Sequence, residues 1–192
     1  GMNVTTIVIL GLLAVAVAYG AMLYNALVRL KHNVSAAWSN IDVVLKQRHD
    51  ELPKLVETCK QYMQYEGELL EKITQARASV GQARESQNMK ALGQAESGLR
   101  AGLMNLFAVA ENYPELKANE NFQHLQSRIT GLENQIADRR EFYNDSVNAN
   151  NIRIEQFPDV ILARMFNFKA RDLLEFDVSE TADVNIGALF NT

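Results

Sequence analysis

VSAAWSNIDVVLKQRHDELPKLVETCKQYMQYEGELLEKITQARASV, residues 34–80, decides the fold. Steps of four then three pick out Val34, Trp38, Ile41, Leu45, Arg48, Leu52, Leu55, Cys59, Tyr62, Glu66, Leu69, Ile73, Ala76 and Val80. Only Arg48 and Glu66 in that series are charged. A 4-3 spacing held this long is the stripe of a long helix laid against other helices, as in a coiled coil. Lys46, Asp50, Lys54, Glu57 and Lys60 mark the solvated remainder. Pro53 cannot donate an i to i−4 hydrogen bond, but Leu52 and Leu55 keep the phase of Leu45. The spacing therefore predicts a kink at Pro53 within a continuing helix.

Tyr24 and Leu27 extend the same phase backward, toward a run without charge. No charged side chain precedes Arg29, and residues 4–23 are nearly all apolar. A helix of about 20 such residues spans the hydrocarbon core of a bilayer. Ala16-Val17-Ala18 resembles a signal-peptide cleavage site, yet the run lacks the basic n-region of a secretory signal. A retained single-pass anchor is expected. Arg29 and Lys31 follow the span and the first acid is Asp42, so the Lys/Arg bias puts the N-terminus outside and the body in the cytoplasm. An unbroken helix from Val4 to Val80 would be about 115 Å long at about 1.5 Å per residue.

Beyond Val80 the polar, aperiodic Gly81 to Asn88 reads as a turn. A second helix is predicted from Met89 to Glu111, with the stripe Leu92, Ala95, Leu99, Leu103, Leu106 and Ala110. Gly98 and Gly102 lie one turn apart in it, and suit either close approach of a neighbouring helix or a tolerated surface. Pro114 ends that helix. Asn119 is a candidate N-cap for a third helix running to Gln156, with the stripe Phe122, Leu125, Ile129, Leu132, Ile136, Tyr143, Val147, Ile154 and Phe157. Arg139 and Asn150 interrupt it. Pro158, read as an N1 proline, opens a short helix from Asp159 to Phe166. Val184, Ile186 and Ala188-Leu189-Phe190 suggest an extended tail, docked or disordered.

Composition agrees with an all-α protein, since 192 residues hold only 10 Gly and 3 Pro. A net charge of −4, with no basic cluster interleaved with aromatics, argues against nucleic acid as a partner. Cys59 is the only cysteine, which excludes an intramolecular disulfide and reads as a small core hydrophobe. Trp38, on the stripe, is expected to be buried between helices.

Chemistry is hard to find. A di-iron bundle needs Glu-x-x-His motifs, and the chain has none. His32, His49 and His124 are scattered, and the pair Glu120 and His124 does not complete a metal site. His49 stands about three turns from Cys59 along the same helix and cannot serve it as a base. No phosphate-binding loop is present. No residue is assigned a catalytic, cofactor-binding or metal role. Arg48, Glu66, Arg139 and Asn150 are more informative, because they fall at seam positions. Three readings are open: an internal polar network that fixes helix pairing, snorkelling past the seam edge, and a ligand pocket between helices.

Ala37-Trp38-Ser39-Asn40-Ile41-Asp42-Val43, followed by Leu45, Arg48, Pro53, Leu55-Val56-Glu57 and Tyr62, resembles the opening signature of the LemA family. Glu111-Asn112-Tyr113-Pro114-Glu115-Leu116-Lys117-Ala118-Asn119 with Phe122 resembles its second block. Arg139-Arg140, Tyr143-Asn144-Asp145, Val147 and Phe157-Pro158 resembles its third. Two places depart from the family pattern: Asn150-Asn151 stands where Tyr-Asn is usual, and Leu173-Leu174 where a Phe-rich segment is usual. The departures bear on how the C-terminal part docks. The resemblance implies bacterial origin, a membrane anchor and an up-and-down helical bundle, and it implies no activity. It also points to membrane proteins with a TPM domain as partners.

The expectation is an anchor over residues 1–28, an elongated antiparallel helical bundle over 29–168 and a tail over 169–192. The bundle would act as a scaffold or adaptor of other membrane proteins without catalysis. The alternative is a sensor relaying a membrane event to the bundle. Ala14 with Ala18, and Ala16 with Gly20, would let a second copy approach in the bilayer, though such pairs arise by chance in any alanine-rich span.

Overall fold

Alternating apolar stripes and short polar turns produce six helices in the computed structural model, which describes residues 1–176. They are α1 (Val4–Lys60), α2 (Gly67–Ser86), α3 (Met89–Ala110), α4 (Pro114–Lys117), α5 (Glu120–Glu155) and α6 (Asp159–Met165). The all-α expectation holds. The expectations for Val184, Ile186 and Ala188 to Phe190 fall outside the described residues. Contacts divide the chain into two units, Gly1–Trp38 with Phe142–Arg171, and Ser39–Glu141 with the chain from Asp172 on.

In the first unit, α1 opens with the apolar span. The helix is long and apolar enough to cross a membrane, and only 6% of its most apolar stretch is buried within the chain. Burial begins where the span ends, at Leu23 and Leu27. Tyr24 meets Phe166 and Phe168 edge-on, with ring centroids 4.9 Å and 5.8 Å away. Trp38 is buried, as expected, and sits edge-on to Tyr143 at 6.2 Å. Asn150, which departs from the family pattern, and Asn151, which keeps it, together dock the chain after α6. Asn151 Oδ1 accepts from Arg171 N at 2.8 Å, and its Nδ2 donates to the Arg171 carbonyl at 2.9 Å. Asn150 Nδ2 donates to the Lys169 carbonyl at 3.3 Å.

In the second unit, partner residues fix the direction of the helices. Asp42 pairs with Arg84, and the His49 carbonyl accepts from Arg77, so numbers rise along α1 as they fall along α2. Asn40 with Arg139, Arg48 with Glu133, Glu51 with Arg128 and Thr58 with Asn121 make α5 antiparallel to α1 in one register. The core between them holds Ile41, Leu45, Leu52, Leu55, Ile73, Leu92, Leu99, Leu106, Phe122 and Ile129, all buried. Each such side chain contributes about 1.5–3 kcal/mol by leaving water.

The structure corrects several sequence expectations. The helix from Val4 does not reach Val80; it ends at Lys60, and α2 starts at Gly67. Tyr62 N and Met63 N both donate to the Cys59 carbonyl and close the last turn. The stripe kept its phase across this turn because α1 and α2 bury their apolar sides in one core. Pro53 does lie inside α1 without ending it. Gly81 belongs to α2 rather than to a turn. A Cβ there would stand 3.1 Å from His49 Cε1, so a larger residue would have to push the His49 ring aside. The turn is made by Gln87, left-handed at φ 52°, and by Asn88, whose Oδ1 caps Ala91 N at 3.1 Å.

Gly98 faces open space, whereas a Cβ on Gly102 would meet Ile73 Cγ1 at 3.2 Å, so the two glycines divide between the two readings. Asn119 is the expected N-cap, its Oδ1 accepting from Phe122 N at 3.0 Å. Pro158 occupies the N-cap of α6, one position before N1. Phe157 leaves the predicted stripe and is 81% exposed.

Candidate functional site: a buried charge network

Arg48 lies on the core face of α1, where the seam would otherwise hold an apolar side chain, and is 1% exposed. Its guanidinium faces Glu96 of α3 with both terminal nitrogens. Nη1 donates to Glu96 Oε2 at 3.0 Å, and Nη2 pairs with Glu96 Oε1. Nη1 also donates to Glu133 Oε1 of α5 at 2.8 Å. Glu133 Oε2 lies 3.3 Å from Arg100 Nε, one turn along α3 from Glu96. Two guanidiniums and two carboxylates therefore form a neutral cluster joining three helices. The forked geometry is the strong form of such pairing. Burial by itself would push the Arg48 guanidinium down. The carboxylates of Glu96 and Glu133 outweigh it, and hold the group above its ordinary value.

The segment after Arg171 covers part of this layer. Leu174 is buried, and the Glu175 carbonyl crosses α3 at Gly93, where any Cβ would collide with it. The Phe176 ring lies under two guanidiniums, Arg140 at 4.1 Å and Arg100 at 5.0 Å, in cation–π geometry. Glu51, buried on the same helix as Arg48, takes Arg128 at 3.1 Å and Lys54 at 3.3 Å.

The other seam residues have separate fates. Arg139 reaches the edge and donates to the Asn40 carbonyl at 2.7 Å. Glu66 is half-buried in the turn after α1 and accepts from the Tyr113 hydroxyl at 3.5 Å. Asn150 belongs to the first unit and holds the Lys169 backbone. Of the three readings, the internal network describes Arg48, and an edge position describes Arg139. Sequence reasoning missed Glu96 and Glu133. The signal for Glu96 was present, because Leu92, Glu96, Leu99 and Leu103 follow the 4-3 steps better than the predicted Ala95, which is only half-buried. Glu133 carried none, since Ile129, Leu132 and Ile136 already fill the stripe.

Among the described residues, no group of three His, Cys, Asp or Glu could hold a metal ion. Cys59 is buried, which pushes its thiol up to about 12 and keeps it from becoming a thiolate at neutral pH. His49 is held below its ordinary value by burial, then by the charges of Arg77 and Arg84. His124 and Glu120 are exposed on α5. A groove of about 500 Å³ between α2 and α3 is lined by Ser79, Gln82, Ala83, Ser86, Ala91, Gln94 and Ala95, none of which titrates.

Comparison with known proteins places these observations in a family. The LemA family pattern matches residues 37–187. Magnetosome protein MamQ 2 of Paramagnetospirillum magneticum is 25% identical over 177 residues, covering 80% of this chain and 65% of its own length. Magnetosome protein MamQ of Magnetospirillum gryphiswaldense is 25% identical over 171 residues, with 77% of this chain and 63% of its own length covered. The chain thus spans just under two thirds of these relatives.

Proposed function

The chain belongs to the LemA family, and from that premise we propose that it works by binding, as a membrane-anchored scaffold or adaptor for other membrane proteins. The observation that carries this reading is the closed charge cluster. Arg48 and Arg100 take up Glu96 and Glu133 among themselves, in a core packed with side chains. Arg48 and Glu96 are each 1% exposed and offer no surface to a substrate. What the cluster does supply is a fixed pairing of helices, the property a rigid binding platform needs. The apolar span of α1 would hold that platform at the cell membrane, with the N-terminus outside and the body in the cytoplasm. Partners of the TPM-domain class fit the role. A second copy fits as well, since the span carries Ala14, Ala18, Ala16 and Gly20 with open space around Gly20.

A sensor is the second reading, favoured by one observation: α1 carries both the apolar span and Arg48 without a break. In-cell photo-crosslinking from exposed body positions such as Gln94 and Met104 distinguishes the readings. A scaffold gives discrete adducts with other membrane proteins whatever the state of the membrane. A sensor gives adducts that change when the membrane is perturbed. No protein adduct at any exposed position would refute both.

A further inference from the structure

Around the foot of the span, the first unit presents an apolar face and several cations that the binding platform does not use. Ile161 and Met165 lie one turn apart on α6 and are 51% and 68% exposed; Phe157, in the turn before α6, is 81% exposed. Buried on the other side of α6 are Asp159 and Ala163. Asp159 is locked to Arg153 at 2.7 Å, which sets the roll of the helix. Asn167 ends it in the left-handed conformation at φ 59°, with Phe168 N donating back to the Ala163 carbonyl at 2.9 Å. That motif turns the chain so that Phe166 and Phe168 both pack on Tyr24.

Tyr24 gives the height. With residues 4–23 in the hydrocarbon core, the Phe166 ring, 4.9 Å from Tyr24, would stand at the boundary of that core. Cations gather at the same level. Arg29 lines a groove with Tyr19, Met22 and Leu23, the last residues of the span, beside the Arg153 that Asp159 already holds. Lys31, Lys169 and Arg171 line a second one with Tyr24 and Phe166. This unit holds six Lys or Arg against three Asp or Glu, in a chain whose net charge is −4. Positive charge is thus concentrated where phospholipid phosphates would stand.

We propose that α6 and its flanks form a foot that docks onto an anionic bilayer, with Phe157, Ile161 and Met165 in the headgroup–acyl boundary and the surrounding cations on lipid phosphates. Two observations select this occupant over a protein. The end of α6 is fastened to the foot of the span through Phe166 and Phe168 on Tyr24, and basic clusters next to a span are drawn to anionic lipid. The proposal rests on the membrane reading of α1, and its test separates the two.

The full chain is reconstituted into vesicles of phosphatidylcholine, with or without phosphatidylglycerol, carrying brominated acyl chains. An environment-sensitive label is placed in turn at Ile161→Cys, Met165→Cys and, inside the span, Ala16→Cys. The Ala16 site reports insertion of the anchor and is quenched in both lipids. Labels at 161 and 165 are expected to be quenched about twofold more strongly when phosphatidylglycerol is present. Neutralising Lys31, Lys169 and Arg171 to Gln should abolish that difference. Quenching at 16 but not at 161 or 165 overturns the foot and leaves the anchor standing. Equal quenching in both lipids overturns the anionic preference. Disulfide crosslinks between Met165→Cys copies, without quenching, assign the face to a second copy and overturn it too. An unquenched label at 16 overturns the anchor and, with it, the foot.

Discussion

Replacing Arg48 with Met removes the cation at the centre of the buried cluster while keeping a side chain of similar length. Glu133 retains Arg100 at 3.3 Å and some access to water. Glu96, 1% exposed, loses both of its bonds to the guanidinium. Breaking a buried ion pair from one side costs about 3–5 kcal/mol, because the remaining charge stays out of water without a partner. With a urea slope of about 2 kcal/mol per molar, the unfolding midpoint should fall by about 1.5–2.5 M. The assay is urea unfolding of the full chain in mild detergent, followed by helical circular dichroism. Arg48→Met combined with Glu96→Leu restores the balance by removing both charges. It should recover most of the loss, since an apolar pair of similar volume often matches or exceeds a buried ion pair. A single variant within about 0.5 kcal/mol of wild type would refute the burial argument. A double variant no better than the single would refute the pairing argument, and would assign the cost of Arg48→Met to packing alone.

Trp38→Ala should cost about 3–5 kcal/mol, measured by the same unfolding curve, because a large buried ring is lost and its edge-on contact with Tyr143 with it. His49 is held below its ordinary value by burial, Arg77, Arg84 and Arg48, against Asp50, so the unfolded chain takes up its proton first as pH falls. Stability should therefore decline from the ordinary histidine value near 6.5 downward, and His49→Gln should flatten the unfolding midpoint between pH 7 and 5.5. Gly98→Ala, at an exposed helical site with open space, should stabilise by up to about 1 kcal/mol. Gly93→Ala should instead displace the Glu175 backbone, read as faster proteolysis after Arg171.

The stripes were legible because each helix buries one side, and the 4-3 spacing records that directly. Helix type, the Asn119 cap and the burial of Trp38 all follow from local pattern. The end of α1 was not legible. Cys59, Tyr62, Glu66 and Leu69 stay in phase across a turn, and phase cannot distinguish one long helix from two that share a core. Gly81 misled in the opposite direction, since its absence of a side chain serves the His49 ring rather than a turn. The charge cluster was half legible. Arg48 stood out as a charge on a seam, but its partners come from residues 48 and 85 positions away, and no periodicity links them. The docking of residues 169–171 by Asn150 and Asn151 was hidden for the same reason. A side chain that mimics a backbone partner looks, in sequence, like any polar interruption.

A buried cluster of this kind is an inefficient way to gain stability. Arg48 Nε, deep in the core, finds no hydrogen-bond acceptor, and an apolar replacement of the whole set would cost little or nothing. Its effect lies in what it forbids. The stripe of α1 on either side of Arg48 is a series of similar aliphatic residues, Ile41, Leu45, Leu52 and Leu55, which would pack nearly as well if a neighbouring helix slid by two turns. Such a slide would draw Glu96 and Glu133 away from Arg48 and strand charges in an apolar layer. The penalty falls on the wrong registers, and the observed one avoids it because α3 and α5 present their carboxylates at one level. A chain that works as a platform benefits from this, because its exposed surface keeps one shape only if its helices keep one register. The Arg48→Met, Glu96→Leu double variant separates the two properties. It should unfold near the wild-type midpoint yet lose protection of backbone amides along α3 in hydrogen exchange, because alternative registers become accessible. Unchanged protection along α3 would refute a register-fixing role and leave the cluster with no function beyond its own pairing.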